Sequence, residues 1–305
     1  MPKLVEGNSP VPATVYKYVN LTTAKAILTN GSLQWSSPFV FNDPFDMQWN
    51  PGWQMRTSEA AAAIKALGYR IFEEPEKYPT VNPVLEPGRA KMAELFKDNR
   101  PEFDFQIQKV VNVIASGRMF VEGYEKEIKP SLQQLRVLCL SEAPNSILMW
   151  SHYSKDHKGA VLEFDGKKLA ECISCRCFKV DYQKQFPIVI DVEVWAKSLL
   201  LGGTPRFSDD YLSLILSTKW KEWDYEREIR FLTNYPENPK ESKSFYRFGA
   251  EALRGVSLGC NSSAKDEKII RAKLRSHYAG AYLRKCRLCP TGFSVEAVDE
   301  APGEA

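Results

Sequence analysis

The chain reads VLCLS at residues 137–141, SILMWSHY at residues 146–153 and GAVLEF at residues 159–164. The two outer runs are short and apolar, which predicts buried β-strands. The middle run predicts a helix, on which Met149 and Tyr153 share an apolar face while Ser151 and Lys155 share a polar one. The centre of the expected fold is therefore a strand, a helix and a second strand.

The N-terminal part of the chain predicts the same kinds of element. The run VYKYV at 15–19 predicts a strand, and LTTAKAIL at 21–28 predicts a helix with Thr22 as its N-cap and Gly31 as its left-handed C-terminal residue. A further strand is expected at 33–36. The prolines that follow it, Pro38 and Pro44, predict a structured loop rich in aromatic residues.

The middle of the chain changes to helical periodicity, broken by a stretch rich in proline. Further strands are expected at 178–182, 228–232, 255–258, 284–288 and 294–298, and further helices at 192–200, 209–218 and 263–276. Strands and helices do not alternate one for one, so the predicted class is α+β, with a mixed or mainly antiparallel sheet. We expect a single domain of residues 1–305 with a helical insertion or lid at about 54–135. A small separate helical domain is the alternative, and the acidic tail at 299–305 is expected to be flexible.

The composition is that of a soluble globular protein, with 44% hydrophobic residues, 26% charged residues and a net charge of +3. The longest apolar runs are far shorter than the roughly 18 residues of a membrane helix, and no secretory signal is recognisable, which predicts a cytoplasmic protein. The small positive charge does not by itself indicate a nucleic-acid partner. Histidine is scarce, with three in the chain, and His152 and His157 fall close together.

The seven cysteines include two C-x-x-C pairs, Cys172 with Cys175 and Cys286 with Cys289. Such a pair can supply two thiolates to a tetrahedral zinc ion. The two pairs are more than a hundred residues apart, whereas zinc ribbons usually separate theirs by about 15–20 residues. Cysteines that serve as small buried hydrophobes at strand ends are therefore favoured over a zinc site.

Two polar segments are candidates for a binding site. In the first, Asp43 precedes Pro44 and is pushed toward extended geometry, while Asn42 can form an Asx turn; a ligand-contacting loop and a purely structural turn are both open. In the second, His152 lies at the edge of the polar helix face, where a histidine can titrate, position a ligand or form a structural hydrogen bond. His152 and His157 are five residues apart and no H-E-x-x-H occurs, so a metallohydrolase is disfavoured.

A third segment contains Glu226, Glu228 and Arg230, which share one face if they lie on a strand. The alternative is a salt bridge on a solvated strand face, worth about 0–1 kcal/mol. The aromatic neighbours Trp220, Trp223 and Tyr225 indicate that these charged side chains are partly buried.

These segments together resemble a bacterial family of unknown function, the domain of unknown function 2971. The resemblance rests on YKY at 16–18, NDPF at 42–45, LMWSHY at 148–153, HKG at 157–159 and WDYEREIR at 223–230. It spans most of the chain but implies no activity.

The layout is also similar, more distantly, to ADP-ribosyltransferases, in which an opening strand, a helix, a strand and a late Glu-x-Glu occur in this order. In that group the helix and the loop beyond it surround the nicotinamide of NAD, an aromatic ring stacks on it, and a late glutamate bonds the ribose and steadies positive charge. Here Glu226 and Glu228 match the Glu-x-Glu, and Tyr18 takes the place of the usual Arg or His. A Ser-Thr-Ser motif is absent, so residues 150–153 would substitute for it.

The resemblance implies an ADP-ribosyltransferase-like enzyme that uses NAD, a transferase of the glycosyltransferase class acting as a toxin or phage-defence effector. Its catalytic residues would be Glu228, which contacts the ribose, with Glu226 and His152. Its cofactor-binding residues would be Tyr18, Asn42, Asp43, Trp150, Ser151, Tyr153 and Arg230, with Trp150 or Tyr153 stacked on nicotinamide.

The alternative is a non-enzymatic nucleic-acid or nucleotide-binding effector. Its phosphate contacts would come from basic, aromatic stretches at 219–223 and 268–287. A structural scaffold without a ligand is the third interpretation.

Overall fold

A computed structural model describes residues 9–50, 56–80, 82–187, 191–201, 211–234, 236 and 238–299. The described residues divide into two compact units. Those between 49 and 131 and between 186 and 214 form a helical unit. Those between 9 and 48, between 132 and 185 and between 215 and 299 form a unit of mixed helices and strands.

The elements lie in the following chain order. They are β1 (Thr14–Val19), α1 (Leu21–Asn30), β2 (Ser32–Ser36), α2 (Ser58–Glu73), α3 (Glu86–Asp98), α4 (Arg100–Ala115), α5 (Arg118–Gly123), α6 (Lys129–Gln133), β3 (Arg136–Ser141), α7 (Ile147–Tyr153), β4 (Ala160–Asp165), α8 (Gly166–Ile173), β5 (Arg176–Lys179), β6 (Asp181–Gln183), α9 (Val192–Leu200), α10 (Tyr211–Ser217), β7 (Thr218–Trp220), β8 (Glu228–Thr233), β9 (Lys243–Arg247), β10 (Leu253–Leu258), α11 (Ala264–His277), β11 (Tyr282–Leu288) and β12 (Val295–Asp299). Short 3₁₀ helices at Pro38–Val40 and Lys221–Glu226 lie between them.

Ten of the described strands form one mixed, mostly antiparallel sheet. Its main path runs in the order β12-β11-β10-β4-β1-β3-β2-β9, while β8 pairs with both β3 and β5. Only β10 and β11 are parallel within this sheet, and β6 and β7 form a separate parallel pair. The α+β class and the mainly antiparallel sheet predicted from the sequence are therefore confirmed.

The sheet splits at β3, and this split positions the candidate site. One edge of β3 pairs with β8 along its whole length. On the other edge, Ser141 faces Tyr16 of β1, whereas Val137 faces Ser36 of β2. Because β1 and β2 meet opposite ends of β3, they diverge and leave the middle of this edge open.

Helices cover both faces of the sheet. On one face, α1, α8 and α11 bury apolar side chains against the strands: Ala24, Ile27, Leu28, Leu169, Ile270 and Leu274. On the other face, Met149 and Trp150 of α7 pack with Tyr18 and Val161. The period of two in β1 explains this division, because Val15 and Val19 point to the first core while Tyr18 points to the second.

The N-cap of α1 differs from the prediction, which placed it at Thr22. The structure has Asn20 as the cap, because its side-chain oxygen accepts a hydrogen bond from Thr23 N at 2.9 Å. Both residue types cap helices well, and only the extended backbone of Asn20 decides between them. At the other end Gly31 has φ 60°, so the predicted left-handed C-terminal residue is confirmed.

We expect Asn20→Ala to lower the free energy of unfolding by about 1 kcal/mol, because Thr23 N loses its acceptor. Thr22→Ala should change it by less than about 0.5 kcal/mol. Urea unfolding followed by circular dichroism measures both variants. A larger loss for Thr22→Ala than for Asn20→Ala would show that the cap is assigned wrongly.

The helical unit has its own core. Helix α2 packs on α4 and α9, as its buried stripe of Ile64, Leu67 and Ile71 requires. Phe96 and Phe103 meet edge to face with ring centroids 4.9 Å apart. A hydrophobic core of its own explains why this unit is compact.

The predicted helical segment at about 54–135 supplies most of this unit, but α9 also belongs to it. Elements the sequence reasoning missed are α8, β7 and β9. The tail expected to be flexible lies, beyond Asp299, outside the described residues. Among the described helices, none combines the length and apolar character that crossing a bilayer requires.

Candidate functional site

A cavity of about 120 Å³ opens in the α+β unit where β1 and β2 diverge along β3. Strand β1, strand β3, helix α7, the loop after β2 and the segment from β7 to β8 all contribute to its wall. The lining residues are Tyr16, Lys17, Tyr18, Phe41, Asn42, Asp46, Cys139, Leu140, Met149, Tyr153, Lys219, Glu226 and Glu228. Five of the residues predicted for the site are thus brought together: Tyr18, Asn42, Tyr153, Glu226 and Glu228.

The loop after β2 carries an aspartate into the interior. Asp43 Oδ1 accepts a hydrogen bond from Phe45 N at 2.9 Å, so the Asx turn predicted for Asn42 is formed by Asp43 instead. Asp43 is therefore a structural residue, and Asn42 is left to line the cavity. After this turn Asp46 is buried, with 4% of its surface exposed.

The two glutamates of the Glu-x-Glu motif converge because of a left-handed residue between them. Glu226 ends a 3₁₀ helix, Arg227 has φ 44°, and β8 begins at Glu228. The prediction that Glu226 and Glu228 share a strand face is therefore wrong for Glu226. The turn nevertheless points both carboxylates at one partner, Lys219.

Five buried charged groups form one connected cluster, which we call the charge cluster: Asp46, Lys219, Glu226, Glu228 and Arg230. Lys219 Nζ lies 2.6 Å from Glu226 Oε2, 2.8 Å from Glu228 Oε2 and 3.4 Å from Asp46 Oδ2. Arg230 donates from Nε to Glu228 Oε1 at 2.9 Å and from Nη2 to Asp46 Oδ1 at 2.6 Å. Its Nη1 donates to the carbonyl oxygen of Leu216 at 2.9 Å.

Arg230 is fully buried, so the salt bridge on a solvated strand face is excluded. It also lies behind the cavity wall rather than in it, bonded to Glu228 and Asp46. The role predicted for Arg230 as a direct cofactor contact is therefore wrong, and its geometry is that of an anchor for two carboxylates.

The cluster has three carboxylates and two cations, an excess of one negative charge when all are ionised. Burial raises the pKa of Glu226 and that of Asp46. Burial would also raise the pKa of Glu228, but the attraction of Arg230 and Lys219 outweighs it and holds this pKa well below its usual range. The pKa of Lys219 is raised, because the three carboxylates outweigh its desolvation. Glu226 and Asp46 are therefore the carboxylates of the cluster that take up a proton most readily on acidification.

Aromatic hydroxyls hold the glutamates and the helix in place. Tyr153 donates to Glu226 Oε1 at 2.6 Å, and Glu228 N donates to Tyr182 OH at 2.8 Å. Tyr18 donates to Ala143 O at 2.8 Å and accepts from Ser146 N, which ties β1 to the start of α7. The pKa of Tyr18, Tyr153 and Tyr182 is raised, mainly by burial, so all three hydroxyls stay protonated.

The remaining residues predicted on α7 do not face the cavity. Trp150 is fully buried between Tyr18, at 5.5 Å edge to face, and His157, at 6.2 Å in a stacked arrangement. Because Trp150 has no exposed surface, it presents no ring face to the cavity, where the sequence resemblance expected it to stack on nicotinamide. Ser151 bonds the carbonyl oxygen of Ile147, and His152 is exposed, with Nδ1 3.0 Å from Tyr225 OH. Neither is among the residues that line the cavity.

The sequence reasoning missed Asp46 and Lys219 as site residues. Lys219 was expected to contact phosphate from the surface, but it is buried with 9% exposure inside the charge cluster. The available signal was its place shortly before the aromatic residues Trp220 and Trp223 and the two glutamates, since a lysine is buried only when paired. In the second basic stretch, Arg271 and Lys285 pair with Glu267.

The seven cysteines are free thiols that differ in burial. Cys177 and Cys286 lie in β5 and β11, and burial raises the pKa of their thiols to about 11 and about 12. All seven are free, and among the described residues no three His, Cys, Asp or Glu side chains are grouped as metal ligands would be. Cys177 and Cys286 are thus buried within strands, as the sequence favoured, whereas Cys172 is exposed.

A comparison with known protein families matches one segment of the chain, and this segment includes several of the residues that line the cavity. Residues 149–231 match the model of a family described as Protein of unknown function (DUF2971). The match begins within α7 and ends in β8, and so contains Tyr153, Lys219, Glu226, Glu228 and Arg230. No curated protein and no solved structure matches the chain.

Proposed function

We propose that the cavity binds the nicotinamide end of NAD and that the protein is an ADP-ribosyltransferase-like enzyme. One observation carries the proposal. The split at β3 brings Glu226 and Glu228 into the same cavity as Tyr16 and Tyr18 of the first strand and Asn42 of the following loop. Of these, Glu226, Glu228, Tyr18 and Asn42 are residues to which the resemblance assigns catalysis or cofactor binding.

The size of the cavity fits one ring and not a whole dinucleotide. Its volume of about 120 Å³ is below the 300–1,000 Å³ of typical ligand pockets. A wider groove of about 490 Å³ shares Tyr16 with it and is also lined by Asn145, Glu163 and Arg284. Arg284 there supplies a cation for a diphosphate, and Glu163 an acceptor for ribose hydroxyls.

Glu226 is the better candidate for the carboxylate that faces the ligand. Each of its oxygens accepts one hydrogen bond, from Tyr153 and from Lys219. Glu228 Oε2 already accepts from both Lys219 and Arg230, and its Oε1 accepts from Arg230 as well. Since a carboxylate offers about four acceptor sites, Glu226 keeps more of them for a ligand. Glu228 then positions Lys219, which in turn orients Glu226.

In the proposed reaction the bond between the ribose C1′ and the nicotinamide nitrogen breaks with its electron pair, so that nicotinamide leaves neutral and positive charge develops on the ribose. C1′ then bonds to an oxygen or nitrogen nucleophile of water or of an acceptor, which loses its proton to solvent. The residues of the cavity favour that charge. Glu226 adds the negative charge, Tyr153 and Lys219 fix its orientation, and the low exposure of the cluster keeps the field unscreened by water. The amide of Asn42 offers a donor and an acceptor for the carboxamide of nicotinamide.

The test is the reaction of the wild-type protein with NAD. We expect calorimetry to show saturable binding of NAD, and chromatography to show release of free nicotinamide with time. Boiled protein controls for spontaneous hydrolysis. Absence of binding at millimolar NAD would overturn the proposal, and binding without release would limit it to a dinucleotide-binding protein. A toxin or phage-defence role stays a prediction of the sequence resemblance.

A further inference from the structure

The groove beside the cavity lies on an open face of the sheet in the α+β unit. Its volume is about 490 Å³, compared with about 120 Å³ for the cavity, and Tyr16 belongs to both linings. Helix α7 covers one end of this face, where Met149 and Trp150 pack with Tyr18 and Val161. The strands that line the groove are β1, β4, β10, β11 and β12, which are neighbours in the sheet. The groove therefore runs across the strands.

The register of these strands sets two rows of side chains across the face. Residues of the first row are paired from strand to strand and are, in order, Tyr16, Glu163, Gly255 and Tyr282. Those of the second row, paired in the same way, are Tyr18, Val161, Ser257 and Arg284. Both rows point to one side of the sheet, because alternate positions of a strand share a face. Apart from Glu163, the side chains on the two middle strands are small, whereas those on β1 and β11 are large. This difference in size forms the groove.

Glu163 is held at the end of the groove that adjoins the cavity, one strand from Tyr16. The ring of Tyr282 lies over Gly255, and its hydroxyl donates a hydrogen bond to Glu163 Oε2. A Cβ at position 255 would lie 2.5 Å from this ring, so any other residue there would displace Tyr282. Glu163 Oε1 has no hydrogen-bond partner within the described part of the chain. The carboxylate is thus fixed by one oxygen and offers the other to a ligand hydroxyl.

Arg284 lies two strands beyond Glu163 along the groove. Its guanidinium carbon lies 4.0 Å from the centroid of the Tyr282 ring, so the same tyrosine orients the cation and the carboxylate. Three strand intervals separate Tyr16 from Arg284, a backbone distance of about 14 Å. A planar guanidinium with several donors suits the oxygens of a diphosphate. The groove therefore presents an acceptor for hydroxyls first and a cation for phosphates further on.

From this geometry we infer that the groove binds ADP-ribose by itself, as the part of NAD that stays bound after nicotinamide has left. Because the ligand is identified from the proposed function, this inference rests on it. With nicotinamide in the cavity beside Tyr16, the ribose attached to it meets Glu163 and the diphosphate meets Arg284. The adenosine then lies toward β12, the last strand of the sheet on this side. The order of acceptor and cation along the groove matches the order of ribose and diphosphate in the ligand.

The two products of NAD cleavage should therefore differ greatly in affinity. Nicotinamide occupies only the small cavity and has no charge for Arg284, whereas ADP-ribose keeps every contact in the larger groove. We expect ADP-ribose to bind within about tenfold of NAD, and nicotinamide to bind at least about 100-fold more weakly than ADP-ribose. ADP-ribose should then inhibit nicotinamide release by competition with NAD, so that the product in the groove regulates the reaction.

The experiment titrates the full chain separately with NAD, ADP-ribose and nicotinamide, followed by calorimetry for the first two and by proton NMR for nicotinamide. Arg284→Met should weaken the binding of ADP-ribose about tenfold or more, because it removes the cation that faces the diphosphate. Glu163→Gln should weaken it about threefold to tenfold, since glutamine keeps an acceptor for Tyr282 but has no charge. Neither variant should change the binding of nicotinamide, which therefore reports that the cavity is intact.

Arg287→Met is the matched control for Arg284→Met. Arg287 lies on the same strand but is exposed and outside the lining of the groove. Its loss should change the affinity for ADP-ribose by less than about twofold, because solvent screens exposed charges. Thermal melting checks that each variant is folded.

The outcomes separate this inference from the proposed function. If NAD binds and nicotinamide is released, but ADP-ribose binds more than about 100-fold more weakly than NAD, the inference is wrong and the proposed function stands. Equal losses in Arg284→Met and Arg287→Met would also overturn it, because binding would then lie outside the groove. If ADP-ribose binds as expected but NAD is not cleaved, the groove is confirmed and the proposed reaction is wrong. If neither NAD nor ADP-ribose binds, both are wrong.

Discussion

Arg230→Met is expected to lower the free energy of unfolding by about 3–5 kcal/mol, because it leaves Glu228 and Asp46 buried without their shared cation. Methionine nearly fills the space but donates no hydrogen bonds. The carbonyl oxygen of Leu216 loses its donor as well. Lys219 alone then faces three buried carboxylates. Urea unfolding measures the loss, and hydrogen exchange of the β8 amides locates it in the α+β unit.

Lys221→Met is the matched control for Arg230→Met. Lys221 pairs with Asp224 at 2.8 Å in the same segment, but both side chains are nearly half exposed. Because exposed pairs contribute little, this variant should cost about 0–1 kcal/mol. If the two variants lose the same free energy of unfolding, then burial does not make the ion pairs of the charge cluster more costly to break than an exposed pair.

Glu226→Gln is expected to reduce nicotinamide release from NAD about 10²–10³-fold, the usual effect of removing one electrostatic contact to the transition state. Glutamine keeps the shape and the acceptor for Tyr153 but removes the negative charge from the cavity. NAD affinity should change only a few-fold, since the lost interaction develops in the transition state. The rate constant of nicotinamide release tests the expected loss of activity, and the dissociation constant of NAD, measured separately, tests the expected small change in affinity.

Glu222→Gln supplies the control for that variant. Glu222 is exposed and lies outside the cavity lining, so nicotinamide release should stay unchanged. A tenfold loss in the control, or a Glu226→Gln protein as active as the wild type, would remove Glu226 from the reaction.

The pH dependence of the reaction follows from the raised pKa of Glu226. A raised pKa means that the carboxylate takes up a proton at a higher pH than an ordinary glutamate. Activity should therefore fall on acidification at a higher pH than the titration of an ordinary glutamate would give. The acid limb of kcat/KM against pH gives this pKa. If the acid side of this profile instead gives the ordinary pKa of glutamate, Glu226 is not the group whose ionisation controls the rate.

Several parts of the fold could be predicted because their signals are local. The period-two run in β1, the helical stripe of α1 and the glycine at its end are properties of neighbouring residues. Short elements with weak patterns escaped prediction, among them α8, where the polar sequence Gly166–Ile173 buries little more than Gly166 and Leu169. Helix caps were the least certain point, since Asn20 and Thr22 are both suitable and only the backbone separates them.

The sequence by itself predicted the α+β class, most of the strands and helices in their order, and the Glu-x-Glu segment as a candidate site, because these depend on local periodicity and residue type. Only the tertiary structure decided which residues meet. Asp46 lies 184 positions from Arg230 in the chain, and their contact exists because β3 brings the loop after β2 and the start of β8 to one cleft. Trp150 and Tyr153 have similar local signals, yet one is enclosed in the core and the other lines the cavity. Burial and long-range pairing, which no local pattern encodes, separate an anchor such as Arg230 from a ligand contact such as Glu226.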